Sequence, residues 1–188
     1  MKHLTRISLC IIFALACVAS CMAQYVKPAP AKIKLKHKSR IGMMYDKFKD
    51  ESTVIVGPYF LTSGMEYALT NSQFQMMAAF TFTGQKLEKP VDHVTLAFLS
   101  SSKEWTFLQD QDLYVLVDGE RLSLGKAERD SDIKLGGVKE YLGVSLPYDT
   151  FLKIANGKNV EMKLGPKEFK LKDEHLEGFR DLASRMVP

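Results

Sequence analysis

Apolar and polar residues alternate with a period of two through most of the chain, so the pattern predicts strands before anything else. The longest example is Phe74–Thr83: Phe74, Met76, Ala78, Phe80 and Phe82 share one face, and Gln75, Met77, Ala79, Thr81 and Thr83 the other. Val91–Leu99 follows, with Val94, Leu96 and Phe98 inward and His93 and Thr95 outward. Met43–Phe48, Thr53–Val56 and Met65–Thr70 read as further short strands, with Gly57-Pro58 and Ser63-Gly64 as punctuation. Trp105–Gly125 is the centre of the pattern: Leu113–Val117 and Glu120–Leu124 flank Asp118-Gly119. An Asp-Gly pair between alternating segments is a strong hairpin signal, because a type I′ turn needs positive φ at both central residues. Leu113, Val115 and Val117 form one face of the first strand, and Tyr114 and Leu116 the other. With both faces apolar, this strand is expected inside a sheet or covered on both sides.

Beyond the hairpin, Lys126–Gly137 is polar and reads as a loop or irregular excursion, and Val138–Leu146 resumes the alternation. Glu140 is the one polar residue on the face that carries Val138, Leu142, Val144 and Leu146. The C-terminal part changes period. Tyr148–Asn156 predicts a short helix that buries Phe151, Leu152 and Ala155 and ends at Asn156-Gly157. Val160–Leu164 and Glu168–Leu171 form a second hairpin pattern. Asp173 is then the expected cap of a last helix, near 173–186, with Leu176, Phe179, Leu182, Ala183 and Met186 at helical spacing. The expected fold is mainly β within the α+β class: an antiparallel sheet or β-sandwich of about 8–9 strands with these two helices.

The first forty residues follow another rule. Lys2, His3 and Arg6 precede the apolar run Ile7–Ala19, which is too short for a stable bilayer span. That is the pattern of a signal peptide, and 1–23 is read as one. Two processing sites compete. Val18-Ala19-Ser20-Cys21 resembles a bacterial lipobox, which makes Cys21 the lipidation candidate, whereas Cys21-Met22-Ala23 before Gln24 suits ordinary signal peptidase. The expected location is therefore outside the cytoplasm: the periplasm, a membrane-anchored lipoprotein, or the medium. Cys10, Cys17 and Cys21 are the only cysteines, so the body holds no disulfide, thiol nucleophile or thiolate metal site.

Residues 24–40 form a basic Pro/Lys arm, and 41–188 are read as one β-rich globular domain. Of 26 Lys and Arg, two lie in the leader and six in the arm, which leaves 18 against 22 acidic residues, all of them in the body. The overall charge of +4 thus describes the arm, and the domain is acidic. The stretch Lys32–Arg40 suits an envelope protein or an anionic membrane surface, where each basic residue contributes about 1 kcal/mol. An exported protein with an acidic body is not expected to bind nucleic acid.

Catalytic patterns are sparse. The body has two histidines, His93 and His175, and neither belongs to a zinc or nucleophile-elbow motif. No phosphate-binding glycine pattern occurs, and no cofactor is expected. Asp110 and Asp112 precede the central hairpin, and Glu128, Asp130 and Asp132 follow it. Carboxylates from these loops could supply oxygen ligands to Ca²⁺, with Asp110, Asp112, Asp130 and Asp132 as the candidates, although Lys134 and Leu135 break an EF-hand pattern. The leading functional expectation is a non-catalytic binding or structural domain in the envelope. The alternative is a small periplasmic hydrolase that uses His93 or the loop carboxylates.

Overall fold

A computed structural model describes residues 24–26, 39–134 and 136–188. The first strands are β1 (Gln24–Val26), β2 (Ile41–Asp46) and β3 (Glu51–Phe60), followed by a short helix, α1 (Gly64–Thr70). β4 (Gln73–Thr83) and β5 (His93–Ser102) come next, then β6 (Asp112–Val117), β7 (Glu120–Lys126), β8 (Glu128–Lys134) and β9 (Gly137–Pro147). The chain ends with α2 (Tyr148–Asn156), β10 (Val160–Leu164), β11 (Lys167–Lys170) and α3 (Asp173–Ser184). All strand pairings are antiparallel: seven strands in the order β1-β2-β3-β4-β5-β9-β8, and four in the order β11-β10-β6-β7. The chain passes from the smaller sheet to the larger at Ala127, a buried corner between β7 and β8 whose N–H donates to Gln111 O at 2.9 Å. No helix among the described residues is long and apolar enough to cross a membrane.

The two sheets and two helices share one apolar core. Phe74, Met76, Ala78 and Phe80 are buried as the period-two pattern predicts, and so are Val94, Leu96 and Phe98. Phe169 of the smaller sheet meets Phe74 and Phe98 of the larger, with ring centroids 5.6 and 6.1 Å apart. Beside that contact, α2 and α3 pack on each other through Phe151 and Phe179, 5.1 Å apart and both fully buried. The Asp118-Gly119 turn is the expected type I′, with φ of 50° and 90°. Its Asp118 carboxylate accepts the Lys158 and Asn159 N–H groups, which hold its pKa below the ordinary value and tie the hairpin to the end of α2.

Several local readings change. Met65–Thr70 lies in α1 and not in a strand: the Ser63 hydroxyl accepts the Glu66 N–H, and Asn71 closes the helix at φ 53°. The stretch 126–137, read as a loop, contains β8. It is polar because it is the edge of the larger sheet, where charges protect unpaired backbone groups. With β1 and β8 included, the described residues form eleven strands. The cap of α3 is Lys172, not Asp173, and the Lys172 N–H donates to His175 Nδ1 at 3.2 Å. Of the two alternatives for β6, the structure has the first: the strand is interior to its sheet, and it is covered on one face only, for Leu116 is exposed.

Gly57-Pro58 interrupts nothing: β3 runs through it by way of a bulge between Val56 and Tyr59, with a cis peptide at the proline. Gly57 has φ 109°, and a Cβ there would stand 3.1 Å from Met76 O, so only glycine fits. The extra residue shifts the alternation, so Tyr59 points into the protein and Phe60 outward.

Glu140, the polar exception on β9, is fully buried. Its carboxylate accepts the Thr106 and Phe107 N–H groups at 2.7 and 3.0 Å and pairs with Arg129 Nε at 3.0 Å. The Arg129 guanidinium in turn lies 4.8 Å from the Trp105 ring. The connection from β5 to β6 is thereby fixed to β8 and β9. Glu140→Ala is expected to lower unfolding stability by about 3 kcal/mol, since it strands two amides and a cation. A denaturation midpoint within error of the parent protein would contradict this.

Candidate functional site

The outer face of the smaller sheet forms a concave surface. Strand register places Lys170, Glu161, Leu116 and Arg121 in one row across β11, β10, β6 and β7. The next row is Glu168, Lys163, Tyr114 and Ser123. Each strand turns its other side chains into the core, so these rows result directly from the pleat. They enclose a groove of about 640 Å³ with Tyr114 and Leu116 on its floor. The Arg121 guanidinium lies over the Tyr114 ring at 4.6 Å. Lys163 Nζ meets Glu168 Oε1 at 2.6 Å, and this hydrogen bond raises the pKa of the ammonium. Lys170 and Glu161 stand 4.0 Å apart. The groove therefore offers an apolar strip framed by both signs of charge, a composition suited to an amphipathic chain.

A second, smaller cleft of about 390 Å³ opens where β3 meets α3, lined by Ser39, Arg40, Tyr59, Phe60, Glu174 and His175. The β3 bulge aims Tyr59 at α3, and its ring lies 4.6 Å from His175 and 6.1 Å from Phe179. The Tyr59 hydroxyl rests over Gly178, where a Cβ would come within 1.9 Å of it. Burial pushes the Tyr59 hydroxyl up to about 12, so it is a neutral phenol at physiological pH. His175 Nδ1 accepts the Lys172 N–H, which places the ring proton on Nε2, 3.8 Å from the Glu174 carboxylate. Burial lowers the His175 pKa, with Glu174 acting against that shift. A neutral imidazole thus serves as the acceptor that closes the start of α3.

The residues singled out from sequence are spread over the molecule. His93 is exposed at the start of β5, opposite Pro147. Asp110 accepts the Asp112 N–H at 2.9 Å, and Asp112 faces Lys126 at the end of the β6–β7 ladder. Asp130 and Asp132 lie on β8 opposite Tyr141 and Lys139, so the two acidic stretches are a loop and an edge strand. Among the described residues no group of three or more His, Cys, Asp or Glu side chains is placed to hold a metal. Cys21 and the arm residues 27–38 lie outside the described residues. Sequence patterning passes over Tyr59 and finds no motif around His175. Their meeting depends on a contact between residues more than a hundred positions apart. Comparison with known proteins gives no match to a family model, a curated protein or a solved structure.

The histidine makes a prediction about pH. Its folded pKa lies below the ordinary 6.5, so the unfolded chain takes up the proton first as pH falls. The stabilisation is complete above roughly pH 7 and is lost as pH drops through about 6.5 toward the folded pKa. Melting temperature is expected to decline over that interval in the parent protein and to decline less in His175→Gln. Parallel curves for the two proteins would show that His175 is not the titrating group.

Proposed function

We propose that the chain is an exported envelope protein whose sandwich is a non-catalytic binding domain, and that it holds an extended protein segment in the groove of the smaller sheet. The observation that carries this reading is the exposure of Leu116 beside Tyr114 on the open face of β6, the strand whose other face builds the core. Leu116 is 40 % exposed, enough to offer apolar surface to a partner. The flanking pairs Lys163–Glu168 and Lys170–Glu161 can exchange their mutual contacts for contacts with polar groups on a bound chain. Export is supported by the basic, apolar and small-residue order of the first 23 residues. Acylation at Cys21 would decide between a tethered and a free domain.

Leu116→Asp combined with Arg121→Glu tests the reading, because exposed substitutions of this kind change stability by roughly 0.5 kcal/mol or less. In-cell cross-linking through a photoreactive residue at Ser123 should trap an envelope protein in the parent background and lose it in the double variant, while melting temperature stays unchanged. Retention of the same cross-linked product in the double variant would sink the proposal.

A further inference from the structure

We infer that one end of the sandwich docks on an anionic lipid surface, with α1 and Phe60 entering the headgroup region. This surface is separate from the groove and does not rest on the reading given to it. Ten large apolar side chains are exposed among the described residues, and seven of them lie on the connections and strand ends at one end of the sandwich. Phe60, Met65, Tyr67 and Leu69 belong to the β3–β4 connection, which leaves and re-enters the larger sheet at this end. Trp105 and Leu108 lie on the β5–β6 connection, and Ile133 faces Val138 where β8 turns into β9.

The helix itself is the clearest sign. α1 has seven residues and buries none of them. A helix this short is marginal in water without packing beneath it, so its two caps hold it in shape. Met65 and Leu69, 77 % and 81 % exposed, stand one turn apart on one face. Glu66, on another side of the helix, pairs with Lys167 at 3.6 Å, which offsets its charge. The apolar groups thus project from a convex element, a shape that suits a planar bilayer.

Charge selects the lipid. The described residues on either side of 27–38 lie at this same end, because Val26 pairs with Met43 and Ile41 with Val56. The sequence between them has five lysines and no acid. Arg40 follows it and lines the cleft beside Phe60. Modest apolar insertion and basic residues are together the two signals that stable peripheral binding requires.

The direct test is the full chain carrying Leu69→Trp in a Trp105→Phe background, so that the single indole reports on α1 regardless of leader or acyl chain. Vesicles of phosphatidylglycerol and phosphatidylethanolamine should shift its emission to the blue, and bromine on the lipid acyl chains should quench it. Adding Met65→Asp should weaken the titration at least about tenfold, and raised salt should weaken it further. Emission that is neither shifted nor quenched by these vesicles would overturn the inference. So would a blue shift that grows with protein concentration in the absence of lipid, which would assign the patch to a second copy of the chain.

Discussion

A single buried carboxylate sets the relation between the two sheets. Glu140 stands on the inner face of β9 between Ser100 of β5 and Ser131 of β8, where the pattern otherwise demands an apolar residue. Removing a carboxylate from water costs on the order of several kcal/mol, and only multiple donors offset it. Here the donors are two consecutive backbone amides and one guanidinium. The amides belong to the connection that delivers β6, so the position of the smaller sheet depends on them. Phe107, immediately beyond the Thr106 amide, is fully buried and meets Phe74 at 5.7 Å. The polar anchor by its amide and the aromatic contact by its ring thus hold Phe107 from opposite chemistries.

From that anchor the molecule acquires its asymmetry. One face of the smaller sheet closes the core with Leu113, Val115, Val117, Val160, Met162 and Leu164, all buried, while the other stays open and partly apolar. A second device, the Gly57 bulge, divides neighbouring aromatics in the same way. Tyr59 turns inward to meet α3, and Phe60 turns outward to the surface beside α1. Both surfaces assigned to binding are therefore by-products of how the core is closed.

Local signals made much of this fold legible. The Asp118-Gly119 turn, the Phe74–Phe80 stripe and the two C-terminal helices each follow from neighbours within one or two turns of chain. The misreadings have equally local causes. Met65, Tyr67 and Leu69 alternate as in a strand, but Ser63 and Asn71 cap the segment as a helix. β8 was hidden because an edge strand with charges on it has no apolar face to display. The candidate sites were less legible still. Glu140 announces itself only by breaking a pattern, and the apolar pair Tyr114 and Leu116 fits an interior strand as well as one covered on both faces. The Tyr59–His175 contact joins β3 to α3 across the whole domain, and no window of sequence contains it.

Amide hydrogen exchange at Thr106 and Phe107 measures the central constraint without altering it. Both amides lie on an irregular connection that would exchange quickly if it were merely a loop. With the Glu140 carboxylate as their acceptor, they should exchange as slowly as the amides of β9, through global unfolding alone. Exchange as fast as that of exposed Lys103 would contradict the account and place the origin of the two-sheet arrangement elsewhere.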